Sequence, residues 1–241
     1  MTDPNLASVA DDPLSQLQSA PHSKKQLQLI DNLATQGETG LAVLREFLQT
    51  QVPQGLSITL GKAYQKVYQA TDETNQNFLQ THFPNGIVPL NSERHIDYKP
   101  LQQQLAAQDF QEADRLTLLK MCELAGGSAL ERQWLYFSEV DNFPALDLHT
   151  INNLWLMHSE GKFGFSVQRE IWLAQGQNFN KVWEKIAWKT ANRWTRYPNE
   201  FIWDLSAPKG HLPLSNQLRG SRAIASLLSH PAWTATDSSS T

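Results

Sequence analysis

The stretch DFQEADRLTLLKMCELAGG, residues 109–127, decides the fold class of this 241-residue chain. Asp109 is followed three residues later by Glu112, a capping box that starts a helix. Apolar side chains then recur at helical spacing until two glycines end the run: Phe110, Ala113, Leu116, Leu119 and Leu124. The pattern predicts an amphipathic helix that carries the single cysteine, Cys122, as a buried thiol on its apolar side.

Comparable helical patterns lie on both sides of this segment, and no alternating pattern indicates a strand. The final pattern is predicted to run from Leu214 to Leu228, with Ser215 as its N-cap. The chain is therefore predicted to be all-α, with a small N-terminal bundle and a larger helical core. The other predicted helices lie near residues 41–48, 60–68, 131–137, 148–155, 167–173 and 179–188.

Glycine and proline divide the chain into domains. Residues 1–22 are polar and predicted to be loosely ordered, and 23–83 form the helical bundle. Pro84, Asn85 and Gly86 begin a linker over 84–90, and the core domain follows at 91–233 before a disordered tail at 234–241. Between Arg193 and Pro213 the helical pattern fails, yet aromatic residues are frequent. A long loop of this kind predicts a functional role.

Composition and charge exclude several classes of protein. One cysteine rules out an intrachain disulfide and a cysteine-rich zinc site. No apolar run reaches the ~18 residues of a membrane span, and the N-terminus resembles neither a signal nor a transit peptide. These features predict a soluble, monomeric cytoplasmic protein, with room for peripheral membrane association. The net charge is −4, but residues 161–241 carry ten Lys and Arg against five Asp and Glu.

All eight tryptophans follow residue 133, and the last of them stand among many cations. Indoles bury much apolar area while their N–H still requires a polar partner. The combination is consistent with a concave surface for a flat, apolar, anionic partner, such as a macrocyclic dye, a nucleic-acid strand or a lipid headgroup. A tryptophan-rich core with a solvated basic rim explains the same residues, so both interpretations stay open.

Other motifs give little support for catalysis. The seven histidines lack metal-ligand spacing, and no set of acid, base and nucleophile is evident, so no enzymatic activity and no metal site are predicted. Arg219 and Arg222 are three residues apart on the predicted last helix and share a face with Asn216. Guanidinium groups match carboxylates bidentately, so this face suits carboxylate capture at the edge of an apolar cleft.

Six segments together resemble the genomes-uncoupled porphyrin-binding family, whose members regulate magnesium chelatase in oxygenic phototrophs. The resemblance covers about residues 90–233, and the N-terminal helices resemble the extra domain of cyanobacterial members. The segments are Ile96-Asp97-Tyr98 with Leu101, Asp109-Phe110 to Ala113-Asp114, Gln133 to Phe137, Phe143 to Leu148, Gly164 to Gln168, and Asn216 to Gly220.

The resemblance implies an all-helical core shaped like a cupped hand that binds protoporphyrin IX or its magnesium complex as a ligand, with no tightly bound cofactor. It also implies a non-catalytic regulator that stimulates the chelatase through its large porphyrin-binding subunit. The implied ring contacts are the 125–130 turn, Phe137 and Val140 on one wall, and Trp194, Tyr197 and Phe201 of the 193–213 loop on the other. Asn216, as an oxygen donor near the metal, and Arg219 and Arg222, toward the propionates, form the polar edge.

Two other functions are compatible with the sequence. The N-terminal bundle could serve as a helical scaffold for another protein, with the second domain as a plain tryptophan-rich core. The basic, tryptophan-rich C-terminal third could instead bind single-stranded nucleic acid by base stacking, although the resemblance favours no nucleic-acid partner.

Overall fold

The computed structural model of the chain describes residues 12–20, 23–214 and 221–234. Within these ranges it contains thirteen α-helices and one pair of two-residue strands, which confirms the all-α prediction. The chain divides into two compact units, residues 1–87 and 88–241. The predicted disordered tail beyond residue 234 lies outside the described residues, as does most of the predicted loose N-terminus.

Within the described residues the first unit contains five helices, and short polar side chains cap the starts of three of them. Ser57 accepts the Leu60 N–H at 3.2 Å, and Asp72 accepts the Asn75 N–H at 3.0 Å, so each caps the helix that follows it. A 3-10 turn, Val52–Gln54, joins the third and fourth helices. The helices are α1 Pro13–Ser19, α2 Ser23–Ala34, α3 Glu38–Gln51, α4 Ile58–Gln69 and α5 Glu73–His82.

A close approach between α2 and α3 shapes the core of this unit. Gly40 is buried in α3, and a Cβ atom at that position would lie 1.8 Å from the carbonyl oxygen of Leu33. Ile30 on α2 and Leu44 and Leu48 on α3 are fully buried. The absence of a side chain at residue 40 therefore allows the two helix backbones to touch.

The second unit contains eight α-helices within the described residues. The predicted helix at 109–127 is confirmed, because Asp109 accepts the Glu112 N–H at 3.1 Å and Gly126 ends it with a φ of +105°. Cys122 is buried in this helix, as predicted, and burial raises the pKa of its thiol to about 11. The helices are α6 Lys99–Ala107, α7 Phe110–Ala125, α8 Gly127–Arg132, α9 Phe137–Val140, α10 Ala145–His158, α11 Phe165–Ala174, α12 Phe179–Lys185 and α13 Arg222–Ser229.

The predicted helix at 131–137 is wrong. Helix α8 ends at Arg132, and Gln133 adopts a left-handed conformation with a φ of +59°. The Glu139 carboxylate accepts the Tyr136 N–H at 2.8 Å and pairs with Arg132 at 2.7 Å. These contacts favour a turn between two short helices over one continuous helix.

The predicted last helix also begins too early in the chain. Leu214 is not helical, and α13 starts at Arg222. The Leu214 N–H donates to the buried Asp114 carboxylate at 2.5 Å, a long-range contact that local periodicity does not reveal. Ser215, the predicted N-cap, lies outside the described residues.

The helix predicted at 179–188 ends early, at Lys185, and a turn leads from it into a small hairpin. Strand β1, Lys189–Thr190, pairs antiparallel with β2, Arg193–Trp194. Ala191 and Asn192 have φ values of +46° and +68°, the two positive values that a tight hairpin turn requires. Strands of two residues are too short to produce an alternating sequence pattern.

A buried carboxylate ties the start of this unit to its central helix. Asp147 on α10 accepts the Ser92 hydroxyl at 2.5 Å, the Glu93 N–H at 3.0 Å and the Tyr98 hydroxyl at 2.9 Å. Three donors compensate the burial of this charge.

Among the described residues, no helix is long and apolar enough to cross a membrane.

Candidate ligand-binding site

Four aromatic rings of α11, α12 and the following turn form a continuous row, here called the aromatic stack. Trp172 and Phe179 are 5.7 Å apart between ring centres, Phe179 and Trp183 are 4.9 Å apart, and Trp183 and Trp188 are 5.3 Å apart with planes within 8°. The three indoles are at most 7% exposed. For these residues the core interpretation of the tryptophans is correct.

The hairpin places one further indole at the surface. Trp194 on β2 is 46% exposed, and its ring centre lies 6.0 Å from that of Trp183 in the aromatic stack. The Lys189 ammonium lies 5.8 Å from the Trp194 ring centre, within range of a cation–π contact. Trp194 is thus an exposed ring that packs against the buried aromatic stack.

Tyr197 provides a second exposed ring, while Phe201 lies beneath it. The Tyr197 ring is 39% exposed and packs edge-on against Phe201 at 6.1 Å and Trp203 at 5.8 Å. Phe201 itself is only 6% exposed and contacts the His211 ring at 5.0 Å. Of the three predicted loop contacts, Trp194 and Tyr197 are therefore accessible, and Phe201 is buried against Tyr197.

The C-terminal end of this loop is fixed by hydrogen bonds to α11, to the turn before α11 and to the segment after α12. The Gln168 amide donates to the Gly210 and Pro213 carbonyls at 3.1 and 2.7 Å. The Gly164 N–H donates to the Leu212 carbonyl at 3.1 Å, and the Trp188 indole donates to the His211 carbonyl at 2.7 Å. The buried part of the loop thus positions the exposed rings.

A substitution at Gly210 tests how closely the end of this loop packs against its neighbours. Its φ is +81°, and a Cβ there would lie 2.6 Å from Ile171 Cδ1 and 3.2 Å from Ile186 Cγ2. We expect Gly210→Ala to lower the free energy of unfolding by about 2–3 kcal/mol, because it adds overpacking to backbone strain. Gly176→Ala, with a φ of +63° and open space around it, is the matched control and should cost about 1 kcal/mol. Equal losses in chemical denaturation would contradict the packing role.

Phe137 and Arg222 are brought together on a second surface. Phe137 begins α9 and is 44% exposed, and the Arg222 guanidinium lies 5.9 Å from its ring centre. The Ser226 hydroxyl of α13 donates to the Phe137 carbonyl at 3.1 Å, which holds the two helices together. Asn216 and Arg219, the other residues of the predicted polar edge, lie outside the described residues.

Val140 lies below this surface and lines a small apolar cavity. The residue is 1% exposed, and the cavity has a free volume of about 10 Å³, enough for at most one water molecule. A macrocycle therefore does not fit inside it in this conformation. The cavity is lined by Thr117, Leu118, Met121, Leu135, Val140, Phe165, Leu214, Ala223 and Leu227.

The sequence interpretation missed an arginine between two rings next to Phe137. The Arg132 guanidinium lies 4.9 Å from the Trp134 ring centre and 4.4 Å from that of Tyr136, which is 48% exposed. The Glu139 carboxylate fixes the guanidinium at 2.7 Å. The predicted 125–130 turn is largely helix α8, and its Leu130 adds exposed apolar surface. The sequence WLYF at 134–137 was the available signal.

The interpretation also missed Asp114. This α7 carboxyl is 3% exposed and accepts the Leu214 N–H at 2.5 Å. Burial raises its pKa to about 7, an effect that the hydrogen bond from Leu214 only partly offsets.

Among the described residues, no group of three His, Cys, Asp or Glu side chains is arranged to hold a metal ion.

Comparison with known proteins places the chain in a family. A model described as GUN4-like matches residues 91–231, more than half of the chain. The chain belongs to the GUN4-like family. A second model, described as an ARM-like repeat domain at the GUN4 N-terminus, matches residues 6–84. These matches confirm the resemblance to the genomes-uncoupled family and to its members with an extra N-terminal domain.

Relatives of this GUN4-like chain occur in cyanobacteria and plants. A Ycf53-like protein from Synechocystis sp. is 54% identical over 221 residues, which cover 91% of this chain and 95% of the relative. The tetrapyrrole-binding protein, chloroplastic, of Arabidopsis thaliana is 38% identical over 149 residues, covering 58% of this chain and 56% of that protein.

Two solved structures resemble the GUN4-like chain. GUN4 from Chlamydomonas reinhardtii has a TM-score of 0.58 and 39% identity, and the match covers 61% of this chain and 95% of that one. The ligand-free structure of Arabidopsis thaliana GUN4 has a TM-score of 0.53 and 41% identity, and the match covers 58% of this chain and 98% of that one.

Proposed function

We propose that this chain binds protoporphyrin IX and magnesium protoporphyrin IX between two exposed aromatic surfaces of its second unit, one carrying Trp194 and Tyr197 and the other carrying Phe137. The main support is the pair of exposed rings, Trp194, which packs against the buried Trp183, and Tyr197, which packs against the buried Phe201. The name of the Arabidopsis relative, a tetrapyrrole-binding protein, agrees with this assignment. The ring contacts we assign are Trp194, Tyr197 and Phe137, with Phe201 and Val140 as buried support beneath them.

The polar groups of the ligand would be bound at the edge of the site where Arg222 lies beside Phe137. We assign Arg222 and Arg219 to the two propionates, since guanidinium binds carboxylate bidentately. Asn216 would supply an oxygen donor toward the magnesium ion or its bound water. Magnesium prefers oxygen ligands and retains water, so the assignment requires no histidine ligand.

The energetics of such a site are adequate without a covalent bond. Burial of roughly 400 Å² of macrocycle contributes on the order of 10 kcal/mol at about 25 cal/mol/Å². Association costs about 4 kcal/mol or more, and each solvent-exposed propionate contact adds at most about 1 kcal/mol. The sum corresponds to a Kd of about 1 μM or somewhat lower. This affinity suits a protein that transfers its ligand to a partner.

The wider role proposed is regulatory and non-catalytic. The chain would carry the substrate and product of magnesium chelatase and stimulate metal insertion through the large porphyrin-binding subunit of that enzyme. A chelatase assay with and without the chain tests this step: stimulation supports the proposal, and an unchanged rate at saturating porphyrin contradicts it.

Tryptophan quenching and the Soret band test porphyrin binding directly. Titration with protoporphyrin IX should give saturable quenching and a shifted Soret band, with little dependence on salt. A steep decrease in affinity with salt would instead favour phosphate contacts and the nucleic-acid alternative. No saturation at tens of micromolar would contradict porphyrin binding.

The assigned arginines provide a second test. We expect the double substitution Arg219→Gln and Arg222→Gln to weaken porphyrin binding several-fold, because both propionates lose a cation. The control removes the same charge from the exposed residues Lys181 and Lys185 of α12, each replaced by glutamine. If the arginine variant and the lysine control bind porphyrin with equal affinity, the two arginines act only through the net charge of the protein.

A further inference from the structure

The exposed ring of Tyr197 is carried by a tight turn of residues 196–200, which Arg196 and Glu200 close by bonding to each other twice. The Glu200 N–H donates to the Arg196 carbonyl at 2.9 Å, and the Glu200 carboxylate accepts the Arg196 N–H at 3.0 Å. Glu200 therefore satisfies both backbone groups of the residue directly before Tyr197.

The Glu200 carboxylate also reaches the hairpin. Its Oε1 accepts the Arg193 guanidinium at 3.0 Å, while its Oε2 accepts the Arg196 N–H. Arg193 lies on β2 immediately before Trp194, the other exposed ring of the loop. The carboxylate thus bonds to the direct chain neighbours of both exposed rings.

The backbone on either side of Tyr197 is anchored to the domain. Before it, the Thr195 N–H donates to the Trp188 carbonyl at 3.0 Å. After it, the Pro198 carbonyl accepts the indole N–H of Trp203 at 2.9 Å, and the Trp203 ring centre lies 5.8 Å from that of Tyr197. Between these anchors, the double closure of the 196–200 turn fixes the path of the backbone.

The Glu200 carboxylate is charged at neutral pH and lies near the surface. The hydrogen bond from the Arg196 N–H, together with the nearby arginine charges, lowers its pKa. The side chains of Glu200 and Arg193 are 32% and 67% exposed, so solvent screens their ion pair and the pair contributes little to the stability of the domain. The contacts of Glu200 therefore act mainly on the local shape of the turn.

We propose that Glu200 is a positioning residue of the porphyrin site: its carboxylate holds the 196–200 turn in the shape that presents Tyr197 before the ligand binds. This inference rests on the proposed function, which assigns Tyr197 as a ring contact. Ordering a flexible segment during association reduces affinity, so a turn that is already closed binds more tightly. The role depends on the acceptor oxygen, because the negative charge itself opposes the propionates of the ligand.

Two substitutions of Glu200 separate the acceptor from the charge. Glu200→Gln removes the charge but keeps a carbonyl oxygen that can accept the Arg196 N–H, whereas Glu200→Ala removes both. In titrations of the full-length protein with protoporphyrin IX, the glutamine variant should have a Kd close to that of the wild type, and the alanine variant a Kd several-fold higher. Glu184→Ala, which removes an exposed carboxylate of α12, is the control and should bind as the wild type does.

Fluorine NMR of protein labelled with fluorotyrosine follows the turn without any ligand. The chain has five tyrosines, so the resonance of Tyr197 can be assigned with Tyr197→Phe. Glu200→Ala should shift this resonance and leave unchanged that of Tyr98, which is fully buried in the same unit. The midpoint of chemical denaturation should also stay at its wild-type value. Shifts of both resonances together with a lower midpoint would mean that Glu200 acts on the fold as a whole, which would overturn its positioning role.

The binding data distinguish failure of this inference from failure of the proposed function. Equal Kd values for the wild type and Glu200→Ala, or for the two Glu200 variants, would overturn the positioning role while leaving porphyrin binding intact. An equal loss of affinity in Glu200→Ala and Glu184→Ala would do the same, because it would assign the effect to net charge. Failure of the wild type to bind protoporphyrin IX would contradict the proposed function, and the fluorine spectra would still show whether Glu200 holds the turn.

Discussion

Gly40→Ala is expected to destabilise the first unit strongly while leaving the stability of the second unit unchanged. The new methyl group would lie 1.8 Å from the Leu33 carbonyl oxygen and 2.6 Å from its carbon, both backbone atoms that no rotamer change can move. Helices α2 and α3 would have to separate, at a cost of about 3 kcal/mol or more. That is a large fraction of the stability of a domain of this size.

Spectroscopy can follow the two units separately, because all eight tryptophans follow residue 133. Gly40→Ala should reduce helical circular dichroism and leave the tryptophan emission spectrum unchanged. Gly127→Ala, at the first residue of α8 with open space around it, is the control and should be neutral or slightly stabilising. Retained helicity and an unchanged unfolding midpoint in Gly40→Ala would refute the close helix contact.

Trp188→Ala is expected to destabilise the second unit by about 3–5 kcal/mol. The indole is fully buried, stacks on Trp183 with planes within 8°, and donates to the His211 carbonyl at 2.7 Å. Its loss leaves a cavity under the loop and removes a hydrogen bond that fixes the loop. Denaturant titration should show a lower midpoint, and porphyrin affinity should fall because Tyr197 and Trp194 lose their support.

Trp194→Ala provides the matched comparison, since it deletes the same side chain from an exposed position. We expect its stability to change by less than about 1 kcal/mol. Its porphyrin affinity should nevertheless fall several-fold, because the substitution removes one of the ring contacts that we propose. If the two substitutions reduced stability equally, the division into a buried stack and an exposed ligand face would be untenable.

Local sequence patterns were sufficient for the helical class and for α7, where capping, periodicity and terminating glycine all agree. They were insufficient where a distant residue determines the backbone. The Glu139 carboxylate turns the chain at Tyr136, and the Asp114 carboxylate takes the Leu214 N–H from across the domain. Periodicity within a short window contains no information about such contacts.

The candidate site was predictable only at the level of residue type. The concentration of aromatics at 193–213 singled out this loop, but it did not distinguish the exposed Tyr197 from the buried Phe201. The stacking of Arg132 between Trp134 and Tyr136 and the burial of Asp114 both depend on tertiary packing. For that reason the sequence indicated a flat apolar ligand but not which side chains face it.

The near-parallel contact of Trp183 and Trp188 also has an optical consequence. Their transition dipoles couple at this separation, and Trp194 lies 6.0 Å from Trp183. Excitation energy absorbed by the buried indoles can therefore pass to an acceptor placed on Trp194. A porphyrin bound there would quench the fluorescence of several indoles together. Tryptophan emission would then report ligand binding without an added label.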